Sequence, residues 1–197
     1  MAIKLIILVA VAYLIGNISP SIILGKLAGI DIKKEGSGNA ATTNALRVVG
    51  KKAAVITLLI DVGKGVVAVL LGMNLGSYTI GTLCAAAVFC GHIWPCFYSF
   101  KGGKGVATAF GAILAVNCFL GICTLLIVAS GLLVSRRMSV GSILGAATFP
   151  FVCWFVEPGF VYVGTVMALI VIIKHRSNIG RLIRGEEPKM FGNKKKD

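Results

Sequence analysis

Three polar stretches in an otherwise apolar chain hold the residue types that could do chemistry. The first is Glu35-Gly36-Ser37-Gly38-Asn39-Ala40-Ala41-Thr42-Thr43-Asn44-Ala45-Leu46-Arg47. Gly36 and Gly38 allow positive φ and let a ligand approach the backbone. Ser37, Asn39, Thr42, Thr43 and Asn44 offer neutral hydrogen bonds, and Arg47 offers a bidentate fork for an anion. The same residues would also make a turn with a helix cap. The second stretch is Phe100-Lys101-Gly102-Gly103-Lys104-Gly105-Val106-Ala107-Thr108. Glycine-rich backbone running straight into a helix is a generic phosphate cradle: successive N–H groups and the helix N-terminus face the anion. Gly102, Gly103 and Gly105 supply the backbone, Lys104 a full positive charge and Thr108 a hydroxyl. It is not a Walker A loop, since Gly105 follows Lys104 and Tyr98 stands where the first glycine belongs. A basic, glycine-rich membrane turn would carry the same letters. The third stretch is Lys174-His175-Arg176-Ser177-Asn178-Ile179-Gly180-Arg181-Leu182. His175 and Asn178 share a face if the helix continues, and a histidine can act as a base near neutral pH. A basic stop-transfer signal after a span is the plainer alternative. Together the three stretches suit a substrate bearing phosphate and a greasy partner arriving from a bilayer.

The elements that must position them are membrane helices. The chain of 197 residues is 57% hydrophobic and 14% charged, with mean hydropathy +0.92. A soluble domain carries charge on about a quarter of its residues. Apolar runs near membrane-spanning length recur from end to end: Ile3–Leu24, Ala53–Met73, Tyr78–Phe97, Val106–Val134, Val140–Val156 and Gly159–Ile173. The alternating pattern of a membrane β-barrel is missing. The N-terminal run has no small-residue cleavage site before a soluble domain, so it reads as the first span. Net charge is +13, but the basic residues sit in short loops between apolar runs. That favours the anionic leaflet and anionic substrates over nucleic acid. Six cysteines at no metal or redox spacing read as small buried hydrophobes, and two histidines give no evident zinc site. No metal or cofactor is expected.

Loop charges set the expected topology. Basic residues fill Gly25–Lys52, Ser99–Gly105, Ser135–Met138 and the tail from Lys174, whereas Asn74–Ser77 and Glu157–Pro158 carry none. The positive-inside rule places the first group on the cytoplasmic side. This works only if Val106–Val134 crosses twice, with a break expected near Gly121 and two short helices. The expectation is an all-α polytopic membrane protein with seven transmembrane helices, N-terminus out and C-terminus cytoplasmic. Residues 1–191 form one transmembrane catalytic domain, and 192–197 a disordered basic tail. Asp61 and Lys64 lie on one face of the second span, as an internal ion pair or as substrate ligands. Gly141 and Gly145 have small-xxx-small spacing for close helix packing.

At these residues the chain resembles the bacterial acyl-phosphate:glycerol-3-phosphate acyltransferase family, a membrane-integral family of phospholipid synthesis. The first family motif is similar to Gly36-Ser37-Gly38-Asn39 through Thr43-Asn44 and Arg47. The second resembles Gly91-His92 followed by Phe100 to Thr108. The third resembles His175-Arg176-Ser177-Asn178-Ile179 with Arg181-Leu182 and Gly185. The family pattern has Gly then Ala before its Thr-Asn, and this chain has Ala41 and Thr42. The resemblance implies seven helices in the inner membrane, with the motifs converging at the cytoplasmic face. It also implies the reaction of acyl phosphate with glycerol 3-phosphate to give 1-acylglycerol 3-phosphate and inorganic phosphate. Other glycerolipid acyltransferases use a His-x-x-x-x-Asp pair; here Phe97 and Gly180 stand five residues after His92 and His175.

On this reading Lys104 and the Gly102–Gly105 backbone stabilise phosphate and oxyanion charge. Ser37, Asn44 and Arg47, with His175 and Asn178, bind and orient glycerol 3-phosphate. Gly38, Asn39, Thr43 and Thr108 join the substrate-binding set, and Ser142 is a weaker candidate. The acyl chain lies between helices, open to membrane lipid. His175 has no carboxylate partner at a recognisable spacing, leaving its tautomer unfixed. A phosphate oxygen of the donor is therefore favoured over His175 as proton acceptor. The rival reading is a transporter of phosphate or a phosphorylated metabolite, which the Asp61–Lys64 pair would suit. The outer loops, however, offer no basic residue for a path across the outer half of the bilayer. A structural membrane subunit would leave the three motifs without a role.

Overall fold

The computed structural model describes residues 2–190. The expected tail at 192–197 therefore lies outside the described residues. Regular structure among them is entirely helical: α1 Ala2–Gly16, α2 Pro20–Leu27, α3 Thr42–Val48, α4 Lys51–Leu75, α5 Tyr78–Ile93, α6 Val106–Val116, α7 Cys118–Ser135, α8 Met138–Val156, α9 Val161–Lys174 and α10 Arg176–Ile183.

Local chemistry sets the breaks. Pro20 cannot donate to the preceding turn, so α1 ends and α2 restarts with proline in its first turn. Ser77 caps α5, its hydroxyl accepting from the Ile80 N–H at 3.3 Å. Trp94 and Pro95 end α5. At His175 the chain bends by 51° between α9 and α10.

Five stretches are long and apolar enough to cross a bilayer: Ala2–Leu27, Lys51–Leu75, Tyr78–Tyr98, Cys118–Ser135 and Met138–Val156. The bent pair Pro158–Lys174 and Arg176–Ile183 makes a sixth if taken as one span. The large apolar side chains face outward in numbers, among them Val134 at 88% exposure and Tyr162 at 81%. In water such a surface would be a liability; in lipid it is the solvated face. The chain is a multi-pass helical membrane protein.

The long apolar run does break, but the expected place was wrong. The turn is at Asn117, not Gly121, and it separates helices of 11 and 18 residues rather than two equal halves. Asn117 leaves the helical conformation, and its carboxamide oxygen accepts from the Leu120 N–H at 3.0 Å. That satisfies one of the N–H groups that a helix start leaves without an intrahelical partner. Gly121 continues α7, with no room for a side chain beside Leu114.

The chain packs as two compact units, Met1–Gly121 and Ile122–Asp197. In the first, α1 lies on α5, and α4 lies on both α5 and α6. Contact is close enough that a Cβ on Gly16 would come within 2.9 Å of the Gly91 Cα. In the second, α8 packs on α9. Gly141 and Gly145 both face α7 at Val128, as their spacing predicts.

Candidate active site

The first motif is a loop organised from within. Asn44 is fully buried, and its side chain reaches back across the loop. Its oxygen accepts from the Ser37 N–H at 2.9 Å, and its nitrogen donates to the carbonyls of Ile32 and Glu35, each at 3.0 Å. Asn44 thus shapes the loop that the sequence reading had it lend to substrate. Gly36 and Gly38 adopt φ of +61° and +67°, the left-handed conformation expected of them. A Cβ on Gly36 would collide with the Asn44 oxygen, so the two residues require each other. Ser37 and Arg47 are exposed, and Asn39 and Thr43 are half-buried. Ala41, where the family pattern has glycine, sits at φ −148° as the cap of α3. That is ordinary extended backbone, so alanine is unstrained there.

The second motif lies against the first. The Lys33 ammonium donates to the Tyr98 carbonyl at 2.9 Å and sits 5.5 Å from the Tyr98 ring centroid. A Cβ on Gly103 would overlap His92 Nε2 and press on the Ala40 carbonyl at 2.9 Å. The glycine loop therefore passes directly over Ala40, in the middle of the first motif.

Its hydrogen bonds revise the expected cradle. The Gly102 N–H donates to the Ile93 carbonyl at 3.1 Å, and the Gly103 N–H to the His92 carbonyl at 3.2 Å. These two donors face inward and hold the loop on the end of α5. The part left to serve as the expected cradle is narrower: Lys104, Gly105 and the first turn of α6, whose leading N–H groups have no intrahelical carbonyl to bond. Gly105 takes φ +82° at the α6 cap, with Phe89 filling the space a side chain would need. Thr108 is fully buried, and its carbonyl faces Gly65 of α4. Its place is the α4–α6 contact rather than the loop.

Beneath the loop lies a buried charge cluster. Asp61 Oδ1 is 2.7 Å from Lys64 Nζ and 3.3 Å from His92 Nδ1. Lys64 Nζ also lies 2.8 Å from His92 Nδ1 and donates to the carbonyls of Gly16 and Ile18 at 3.1 and 2.7 Å. All three side chains are at most 4% exposed. The internal-pair reading of Asp61 and Lys64 is what the geometry shows, with His92 as a third member. Sequence reasoning placed His92 in a motif without giving it a role. The available signal was an imidazole and an ion pair in apolar runs that must share one interior.

The third motif builds a separate constellation in the second unit. His175 stands at the α9–α10 bend and Asn178 in the first turn of α10, and both are buried. His175 Nδ1 lies 2.8 Å from the Val171 carbonyl. A carbonyl only accepts, so Nδ1 carries the proton and the tautomer is fixed after all, by a backbone group one helical turn earlier. Asn178 Nδ2 donates to Glu187 Oε1 at 2.7 Å. Ser139 donates to the same oxygen at 2.7 Å, and Arg181 Nε donates to Oε2 at 2.7 Å. Arg137 Nε donates to the Glu187 carbonyl at 2.9 Å. Burial disfavours the charged Glu187 carboxylate, but bonds from Ser139, Asn178 and Arg181, with the Arg181 charge, hold its pKa below the usual glutamate range. Glu187 was missed; the clue was an acidic residue inside a strongly basic tail. Ser142, beside Ser139 on α8, donates to the Met138 carbonyl of its own helix at 3.0 Å.

Comparison with known proteins agrees with these motifs. A family model described as glycerol-3-phosphate acyltransferase matches residues 6–185. The chain belongs to the glycerol-3-phosphate acyltransferase family. Relatives of that name from Thermoanaerobacter pseudethanolicus and Trichlorobacter lovleyi are 43% and 44% identical to it. The alignments cover 91% and 92% of this chain, and 92% and 95% of the relatives. The fold is similar to the crystal structure of PlsY (YgiH), an integral membrane glycerol 3-phosphate acyltransferase, in its glycerol 3-phosphate form. That match has TM-score 0.90 and 33% identity, over 95% of this chain and 96% of that one. The lysophosphatidic acid form of PlsY matches with TM-score 0.87. Acyltransferase chemistry in a membrane-embedded enzyme of lipid synthesis follows from membership of the family.

Proposed function

We propose that the protein transfers a fatty acyl group from acyl phosphate to glycerol 3-phosphate, giving 1-acylglycerol 3-phosphate (lysophosphatidic acid) and inorganic phosphate. The observation that carries this is the meeting, in one unit, of the two stretches read as anion-binding: Gly103, next to Lys104, lies against the Ala40 carbonyl, just after the Gly36–Asn39 loop and ahead of Arg47. The glycerol 3-phosphate and lysophosphatidic acid forms of the similar PlsY support the acceptor and the product. An acyl phosphate donor is supported by the sequence: neither histidine has the aspartate five residues on that other glycerolipid acyltransferases use.

In this mechanism the glycerol C1 hydroxyl oxygen attacks the acyl carbonyl carbon. The bond from that carbon to the phosphate oxygen breaks, and phosphate leaves with the electron pair. A mixed anhydride already has a good leaving group, so the protein's work is placement and charge stabilisation. Lys104 and the first turn of α6 receive the negative charge that develops on phosphate and carbonyl oxygen. Ser37 and Arg47, with Gly38, Asn39 and Thr43 around them, hold glycerol 3-phosphate. His175 and Asn178 are assigned to the same substrate. The departing phosphate takes the hydroxyl proton, and His175 binds. The setting is the inner membrane, with seven helices, N-terminus out, C-terminus in, and the reaction at the cytoplasmic face. Purified protein should release phosphate from palmitoyl phosphate only when glycerol 3-phosphate is present, and palmitoyl-CoA should be a poor donor. Efficient transfer from palmitoyl-CoA would overturn the donor assignment.

A further inference from the structure

The buried cluster of Asp61, Lys64 and His92 has no part in the chemistry just described, yet it is an expensive thing to keep. Taking charges out of water costs several kcal/mol per ion, and apolar residues of similar volume often replace a buried pair at no loss of stability. Here the cluster reaches the glycine loop at one point. The Nδ1 edge of the His92 ring lies against Asp61 and Lys64, at 3.3 and 2.8 Å. Its Nε2 edge lies against Gly103, so closely that no residue with a Cβ fits there. The His92 carbonyl accepts the Gly103 N–H at 3.2 Å. Gly103 immediately precedes Lys104, and the Ala40 carbonyl of the first motif borders the same space.

We infer that Asp61, Lys64 and His92 are positioning residues: the ion pair clamps one edge of the His92 ring, and the other edge and the carbonyl of His92 fix Gly103, setting where Lys104 stands relative to the first motif. Lys64 is itself fixed by two carbonyls, that of Gly16 at the end of α1 and that of Ile18 just after it. The clamp therefore ties the loop to α1, α4 and α5 at once. This inference rests on the proposed function for its catalytic meaning, because it assigns Lys104 to the reacting phosphate. Its structural content does not depend on the donor.

The experiment uses the full chain in detergent and three variants: His92→Asn, Gly103→Ala and the two combined. Asparagine places its amide near the Nδ1 position, keeping a polar neighbour for the ion pair while withdrawing the edge that touches Gly103. Gly103→Ala keeps all three cluster side chains and forces the loop and the His92 ring apart, so it tests the inference even if His92→Asn folds poorly. Two readouts are taken. Hydrogen exchange over residues 99–105 reports the loop whatever the acyl donor is, with exchange in α4 as the control. Phosphate release from palmitoyl phosphate in the presence of glycerol 3-phosphate reports the chemistry.

Each single variant should speed loop exchange about tenfold while α4 keeps its protection. Each should lower kcat/KM by roughly 10²-fold, the loss typical of a displacement near 1 Å. The double variant should be little worse than either single one, because both break the same contact. Unchanged loop exchange in both single variants would overturn the inference, as would additive losses in the double. A lowered melting temperature with loop exchange and kcat/KM per folded molecule unchanged would reduce the cluster to a structural role and overturn it too. If the wild type releases no phosphate, the donor assignment fails on its own, and the exchange data still decide the clamp.

Discussion

The two units bury charge in different ways. In the first, Asp61 and Lys64 stand on one helix inside an apolar span and are joined by His92 from the next long helix. Opposite charges face each other, and the ammonium also donates to main-chain carbonyls at the end of α1 and just after it. In the second, Glu187 follows the last helix and is met by two neutral donors and one arginine. The first arrangement lies at membrane depth, where neither charge survives without the other. The second fastens the segment after α10 to α10 itself and to α8, where Ser139 stands 48 residues earlier in the chain. Charge holds the interior of a helix bundle in one unit and pins the segment after α10 in the other.

The comparison can be tested, beginning with the largest effect. Lys104→Met should abolish phosphate release while the protein stays folded in the membrane, because on the proposed mechanism its charge receives the leaving phosphate. Near-normal turnover would show that the glycine stretch is only a turn. Asp61→Ala should lower stability by roughly 3–5 kcal/mol, the cost of leaving a buried charge unpaired. Denaturant unfolding in detergent checks this, and a loss below about 1 kcal/mol would mean that water reaches Lys64. Glu187→Ala should cost less, about 1–3 kcal/mol, since it strands donors nearer the chain end. The same carboxylate gives a pH signature. Its folded pKa is depressed, so its contribution is complete above the ordinary glutamate range and is lost as pH falls through the lowered folded value. Wild type should therefore lose stability on acidification below about pH 4.5, and Glu187→Gln should lose less over that window. His175→Gln should raise the KM for glycerol 3-phosphate about tenfold, roughly 1.4 kcal/mol. A fall in kcat of about 10³-fold at constant KM, with a pH–rate limb lost, would instead make His175 the base. Ala41→Gly should change stability by no more than about 1 kcal/mol, because the extended backbone there asks nothing of glycine.

What was legible in the sequence was what depends on near neighbours. The apolar runs, the positive φ at Gly36 and Gly38, and the Gly141–Gly145 packing face are all local patterns. Contacts across long separations were not legible. Nothing in spacing connects Asp61 to His92, or Ser139 and Asn178 to Glu187. The inward turn of the Gly102 and Gly103 N–H groups depends on carbonyls at the end of α5, so a glycine-rich string gave too wide a cradle. Asn44 was read as a ligand because its amide looks the same whether it faces substrate or its own loop. The break in the long run was misplaced because membrane helices tolerate glycine, whereas Asn117 supplies the cap that lets a helix restart. The fixed tautomer of His175 comes from a main-chain carbonyl, and no side-chain motif records it.

The Asp61–Lys64 pair also bears on how the chain enters its membrane. An isolated ionised residue at the centre of an inserting helix costs about 2.5–3.5 kcal/mol on translocon scales. These two residues lie three apart on α4 and are in contact within that helix. The segment can thus offer the insertion machinery a dipole in place of two separate charges. The carbonyls that receive the Lys64 ammonium belong to Gly16 and Ile18, at the end of α1 and just after it, and both are synthesised earlier than α4. His92 emerges later. The order of synthesis therefore supplies the partners in the sequence in which the charge needs them, and α5 completes a cluster that is already neutralised when it arrives.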